Sequence, residues 1–159
     1  MTLDASLRTQ LASLLAWEDA HVSFDAAVDG IPASARGTVP EGLAHSAWQL
    51  VEHLRRAQED ILDFCLNPRY EERSWPDDYW PQDAAPASEV EWHESIDAFR
   101  ADRARLQALA QDPAIDLAAR IPHGTGQTYL RELVLAADHA AYHVGQLVVV
   151  RRALGVWPT

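Results

Sequence analysis

Seven histidines are spread along this sequence: His21, His45, His53, His93, His123, His139 and His143. His139 and His143 lie four residues apart inside a long run of helical character, from about Tyr129 to Leu154. On a helix that spacing puts both rings on one face, about 5–6 Å apart at Cβ. Two imidazoles so placed can grip one metal ion, with a third ligand from another helix. His53 is the candidate, because it stands within an apolar stripe of Leu50, Ala57, Ile61 and Phe64 at steps of three and four. An imidazole buried in a core without a partner is costly; three that converge on an ion share one explanation. The alternative is that each is a satisfied core or boundary histidine, bonded to a carbonyl or carboxylate. Three nitrogen ligands with an open position favour zinc or another borderline ion such as nickel. At such a position an ion lowers the pKa of bound water or holds a thiolate or carbonyl. The pair lacks the zincin protease pattern, since Ala140 stands where the general-base Glu would be.

Four helices must position these residues. Leu7, Leu11 and Leu14, widened by Leu15 and Val22, predict a first helix from about Leu3 to Val28, stopped by Gly30-Ile31-Pro32. Its stripe continues into Glu18, His21 and Asp25, which either face a cavity or mark a solvated helix end. Ser46 with Gln49 forms a capping-box pattern that opens a second helix, about Ala47 to Leu66. Glu52, Arg55, Arg56, Glu59 and Asp60 read as its charged outer face, with opposite-charge pairs Glu52–Arg56 and Arg56–Asp60. Residues 69–87 hold Pro76, Pro81 and Pro86 among Tyr70, Trp75, Tyr79 and Trp80, so they cannot form one regular helix. Those aromatics are expected to pin the connection to the bundle; covering a pocket mouth or making a dimer contact are the alternatives. Ser88 with Glu91 opens a third helix, about Glu89 to Ala110, with a buried stripe of Trp92, Ile96, Phe99, Leu106 and Ala110. Arg103 interrupts that stripe and calls for a carboxylate or an edge position, and His93 falls beside it. Thr128 N-caps the last helix, which is apolar nearly all round and so expected to be buried on most sides. Four such helices and no convincing strand predict an all-α four-helix bundle, a single domain over residues 1–159.

Composition narrows the function. There are 13 Lys+Arg against 24 Asp+Glu, a net charge of −11, and the field repels nucleic acid and anionic membrane surfaces alike. Uninterrupted apolar runs are short, so no membrane span is expected. The start, Met1-Thr2-Leu3-Asp4, has no signal-peptide pattern, and a cytoplasmic setting is expected. The single cysteine, Cys65, reads as a small apolar residue near a helix end rather than a nucleophile.

Trp48-Gln49-Leu50-Val51-Glu52-His53-Leu54 resembles the second-helix motif of the DinB/YfiT-like superfamily. His139-Ala140-Ala141-Tyr142-His143-Val144-Gly145-Gln146-Leu147, followed by Arg151, Leu154 and Gly155, resembles its last-helix motif. The resemblance implies an up-down-down-up bundle, often a homodimer, with nickel or zinc on three histidines that match His53, His139 and His143. It implies a small-molecule substrate and either thiol transfer, with a low-molecular-weight thiol such as mycothiol or bacillithiol, or hydrolysis. A non-catalytic, metal-stabilised ligand-binding or dimerisation bundle is the alternative. Weaker candidates to line the site are His21 and Glu18 from the first helix, His45 before the second and His123 before the fourth. Asp138 or Gln146 could orient a ligand, as metal-bound histidines usually require. A surface or capping role is the default for each.

Overall fold

The computed structural model describes residues 2–16 and 19–158, and the described residues form six helices. Four are long: α1 (Leu3–Leu14), α4 (Ala47–Leu66), α5 (Glu89–Gln111) and α6 (Tyr129–Ala153); α2 (Phe24–Val28) and α3 (Ala33–Arg36) are short. Each long helix starts at an N-cap whose hydroxyl accepts from a backbone N–H: Thr2, Ser46, Ser88 and Thr128. Such a cap contributes about 1 kcal/mol. Ser46 and Gln49 complete the reciprocal box. Ser88 makes only half of one, because the Glu91 carboxylate takes the N–H of Ala87 instead.

The side-chain bonds between helices give the topology. Arg8 reaches the carbonyl of Ala110 while Gln107 reaches that of Ala12, so α1 and α5 are antiparallel. Glu52 meets Ser95 and Gln58 meets the carbonyl of Phe99, so α4 and α5 run parallel. Leu50 shares a cavity wall with Gln146 and Val150, whereas Asp60 shares one with Glu132, so α4 and α6 are antiparallel. The result is an up-down-down-up four-helix bundle.

The core has two parts. One gathers α2, the first half of α4, the start of α5 and the end of α6, around Phe24, Trp48, Trp92, Phe99 and Leu147. The other gathers α1 and the opposite ends of α4, α5 and α6, around Leu11, Leu62, Leu106 and Leu133. Cys65 is packed in the second, and burial pushes its thiol up to about 12, which leaves it an inert apolar side chain.

Three expectations need correction. The first helix does not run from Leu3 to Val28: α1 ends at Leu14, and Ser23 caps a separate α2. Val22, the stripe's residue after Leu15, stays at the surface, whereas Phe24, Ala27 and Val28 bury a new face. The face of α4 taken as solvated is partly internal, since Glu52 and Asp60 are buried. Glu52 accepts from Arg55, Arg56 and Ser95; Asp60 accepts from two tyrosines of the following loop, and Arg56 turns to the carbonyl of Trp80 instead. Finally, length and composition alone would let α6 cross a membrane. Within the bundle this helix buries Glu132, His143 and Arg151, but it leaves Val134, Tyr142 and Val149 exposed, so one side of it faces outward and burial on most sides holds only in part.

Candidate metal centre

The three histidines singled out by spacing meet in space. His53 on α4 and His139 and His143 on α6 present ring nitrogens that all lie within 4.8 Å of one another. The His53 Nε2 is 3.0 Å from His139 Nε2 and 3.2 Å from His143 Nε2. On α6 they fall between the two apolar cores, after Ala137 and before Val144, while on α4 His53 stands between Leu50 and Leu54 of the first core.

The outer nitrogens fix the tautomers. The Nδ1–H of His53 donates to the carbonyl of Tyr79 at 3.1 Å, and the Nδ1–H of His143 donates to Oε1 of Gln146 at 2.8 Å. A neutral imidazole carries one proton, so the Nε2 atoms of His53 and His143 both hold lone pairs. They face each other at 3.2 Å with no proton to share. Desolvation by burial holds all three imidazoles below their ordinary value, with His53 and His139 lowered to about 4, so the rings are neutral at pH 7. Neutral imidazole is the form that binds a divalent ion. Tetrahedral nitrogen ligation of zinc at about 2.0–2.1 Å sets nitrogen–nitrogen edges of about 3.3 Å, close to the spacing found here. The donor set therefore fits such an ion.

The loop between α4 and α5 both pins and covers. Tyr70 and Tyr79 donate their hydroxyls to Asp60 at 3.0 and 2.7 Å, and Arg73 bonds Glu59. Trp80 lies flat on His53, with centroids 3.8 Å apart and planes 4° from parallel. Its other face carries His45, at 4.1 Å and 18°. Two rings at those separations cannot share one face, so Trp80 is held between the two histidines. No spacing within the loop assigned its aromatics to a particular histidine. Proline punctuation marked the loop, but nothing in its spacing located Trp80 or the carbonyl of Tyr79.

Other candidates disperse. His21 is exposed and its Nδ1 donates to the carbonyl of Val22. His123 is exposed and bonds the carbonyl of Phe64, far down α4 from His53. His93 lies at the surface, 3.7 Å from Glu89. Asp138 is exposed. Glu18 falls outside the described residues. Arg103 has its carboxylate: with Arg100 it binds Asp25. Of Asp138 and Gln146, the latter hydrogen-bonds the His143 ring.

Fold and site together define an all-α four-helix bundle with a three-histidine cluster compatible with a metal-binding site. The chain belongs to the DinB superfamily, whose family profile matches residues 16–147 and so includes all three histidines. A search of curated proteins and a search of solved structures each found no match.

Proposed function

We propose that His53, His139 and His143 bind one divalent ion, zinc or nickel, and that the protein is a metal-dependent enzyme acting on a small molecule by thiol transfer or hydrolysis. The observation that carries this reading is the pair of lone pairs on His53 and His143 facing each other at 3.2 Å, each fixed by an acceptor behind its ring. A cation between them turns a repulsion into two bonds. When bound, such an ion supplies Lewis acidity toward a thiol, a water or a carbonyl. The chain supplies the rest. Tyr79 and Gln146 hold two rings in the ligating tautomer, burial keeps all three neutral, and Trp80 shields one face of His53 from water.

The test is metal content by mass spectrometry on tag-free protein, beside His53→Ala. About one ion per chain, lost in the variant, supports the site; no ion even after reconstitution with zinc or nickel sinks it. Turnover of model esters or thiol acceptors, lost in His139→Ala while helix content persists, then supports the enzyme. The packing of His53 within the first core, with Trp80 of the loop stacked on it, also favours a metal-stabilised bundle without catalysis. That reading predicts a large fall in melting temperature on chelation and no turnover.

A further inference from the structure

One helical turn along the same α4–α6 groove lies a cavity of about 320 Å³. Its walls are Leu43, Leu50, Val149 and Val150, and its polar side chains are His45, Tyr142 and Gln146. Among the described residues, no Asp, Glu or Arg lines it, in a chain with a net charge of −11. Leu50 precedes His53 by three positions and Gln146 follows His143 by three, which places the cavity about 5 Å from the histidine layer. Gln146 belongs to both: it lines the cavity and accepts the proton of His143 Nδ1.

Gly145 sits in the middle of α6, on the solvent-facing rim of the same cavity. Its φ is not positive, and an added Cβ would meet nothing within 4 Å, so a larger side chain there has room to extend over the cavity mouth.

We propose that this cavity is a subsite for an uncharged, apolar group of a small-molecule ligand whose other end reaches the three histidines. The inference deepens the reading of the metal centre and rests on it for the reacting end alone. Its size falls at the lower end of small-molecule pockets, about 300–1,000 Å³. Its apolar walls carry no counter-charge and so offer a carboxylate, phosphate or ammonium nothing in place of the hydration it gives up there, which favours a neutral group at this end of the ligand. His45, Tyr142 and Gln146 leave room for one or two neutral hydrogen bonds that set orientation.

The test is fluorescence titration of the full chain, metal-free and zinc-loaded, with neutral phenylnaphthylamine and with its charged analogue anilinonaphthalene sulfonate. The neutral probe is expected to bind saturably and at least tenfold more tightly than the sulfonate. Gly145→Leu is expected to weaken the neutral probe at least tenfold while keeping helix content and zinc. Val149→Phe, a change at a half-exposed wall position, repeats that test should the leucine variant not fold. His139→Ala should lose zinc yet still bind the probe, so failure of the metal reading and failure of the subsite are distinct results. Absence of neutral-probe binding, equal affinity for the sulfonate, or unchanged affinity in folded Gly145→Leu and Val149→Phe would each overturn the proposal.

Discussion

Gln146→Leu isolates the hydrogen bond behind His143 without touching any of the three imidazoles. Wild-type Gln146 accepts from His143 Nδ1 at 2.8 Å and so keeps the proton off Nε2. Leucine preserves most of the volume but accepts nothing. The ring then divides its population between two tautomers, and in one of them a hydrogen occupies the lone pair that a metal needs. Losing such a partner typically lowers metal affinity 10–100-fold, or about 1.4–2.7 kcal/mol. The His53 ring supplies an internal comparison, because its acceptor is the Tyr79 carbonyl, which no side-chain substitution removes. Gln146→Glu should hold or raise affinity, since a carboxylate is the stronger acceptor toward the same N–H. The assay is zinc competition against a chromophoric chelator, on tag-free protein with matched circular dichroism. Wild-type affinity in Gln146→Leu would refute the reasoning. So would Gln146→Glu binding more weakly than Gln146→Leu, because that order requires the amide nitrogen, not the oxygen, to face the ring.

Two further outcomes follow from buried polar groups. The guanidinium of Arg151 is 1% exposed and donates to the carbonyls of Ala26, Ala27 and Val156 over the Trp157 ring. Arg151→Met orphans those carbonyls and should cost about 3 kcal/mol, a fall in melting temperature of roughly 6–12 °C. A shift under 2 °C by calorimetry would contradict that accounting. In metal-free protein, burial lowers His53 and His139 to about 4, below the 6.5 of the unfolded chain. The folded state therefore binds fewer protons across that window, so stability is fully present above 6.5 and is lost as pH falls through about 4. Urea midpoints should drop over that interval and drop less in His53→Leu; a flat wild-type profile counts against neutral buried rings.

Much of this architecture was legible because helices announce themselves twice, at the cap and in the stripe. Ser46 and Gln49 placed the start of α4, and Asn67-Pro68 placed its end. His53, His139 and His143 stood out because a titratable residue in an apolar stripe has few explanations, and the helix order brought the two stripes together. The break after Leu14 was less legible. Leucine periodicity fixes a face but not a length, and a polar continuation reads alike whether the helix runs on or stops. Burial of Glu52 was hidden for a related reason: i,i+4 charge pairs look the same on a solvated face and under a neighbouring helix. Only the position of Ser95 on α5 decides between them. The loop was the least legible, since its contacts are between residues tens of positions apart with no shared period.

That loop also shows why the centre and the fold are one problem. Three neighbouring groups on α4 hold it: His53 takes the carbonyl of Tyr79, Arg56 takes that of Trp80, and Asp60 takes the hydroxyls of Tyr70 and Tyr79. His53 thus has two faces of work, one nitrogen toward the loop and the other toward His139 and His143. Turning its ring to relieve the facing lone pairs would break the bond to Tyr79 and unstack Trp80. An ion that satisfies the inner nitrogens therefore also favours the ordered loop. By reciprocity, a ligand that orders His45, and through it Trp80, from the cavity side would raise affinity for such an ion. The two sites lie one turn apart on the same two helices and share Gln146, so coupling between them needs no long-range change of shape.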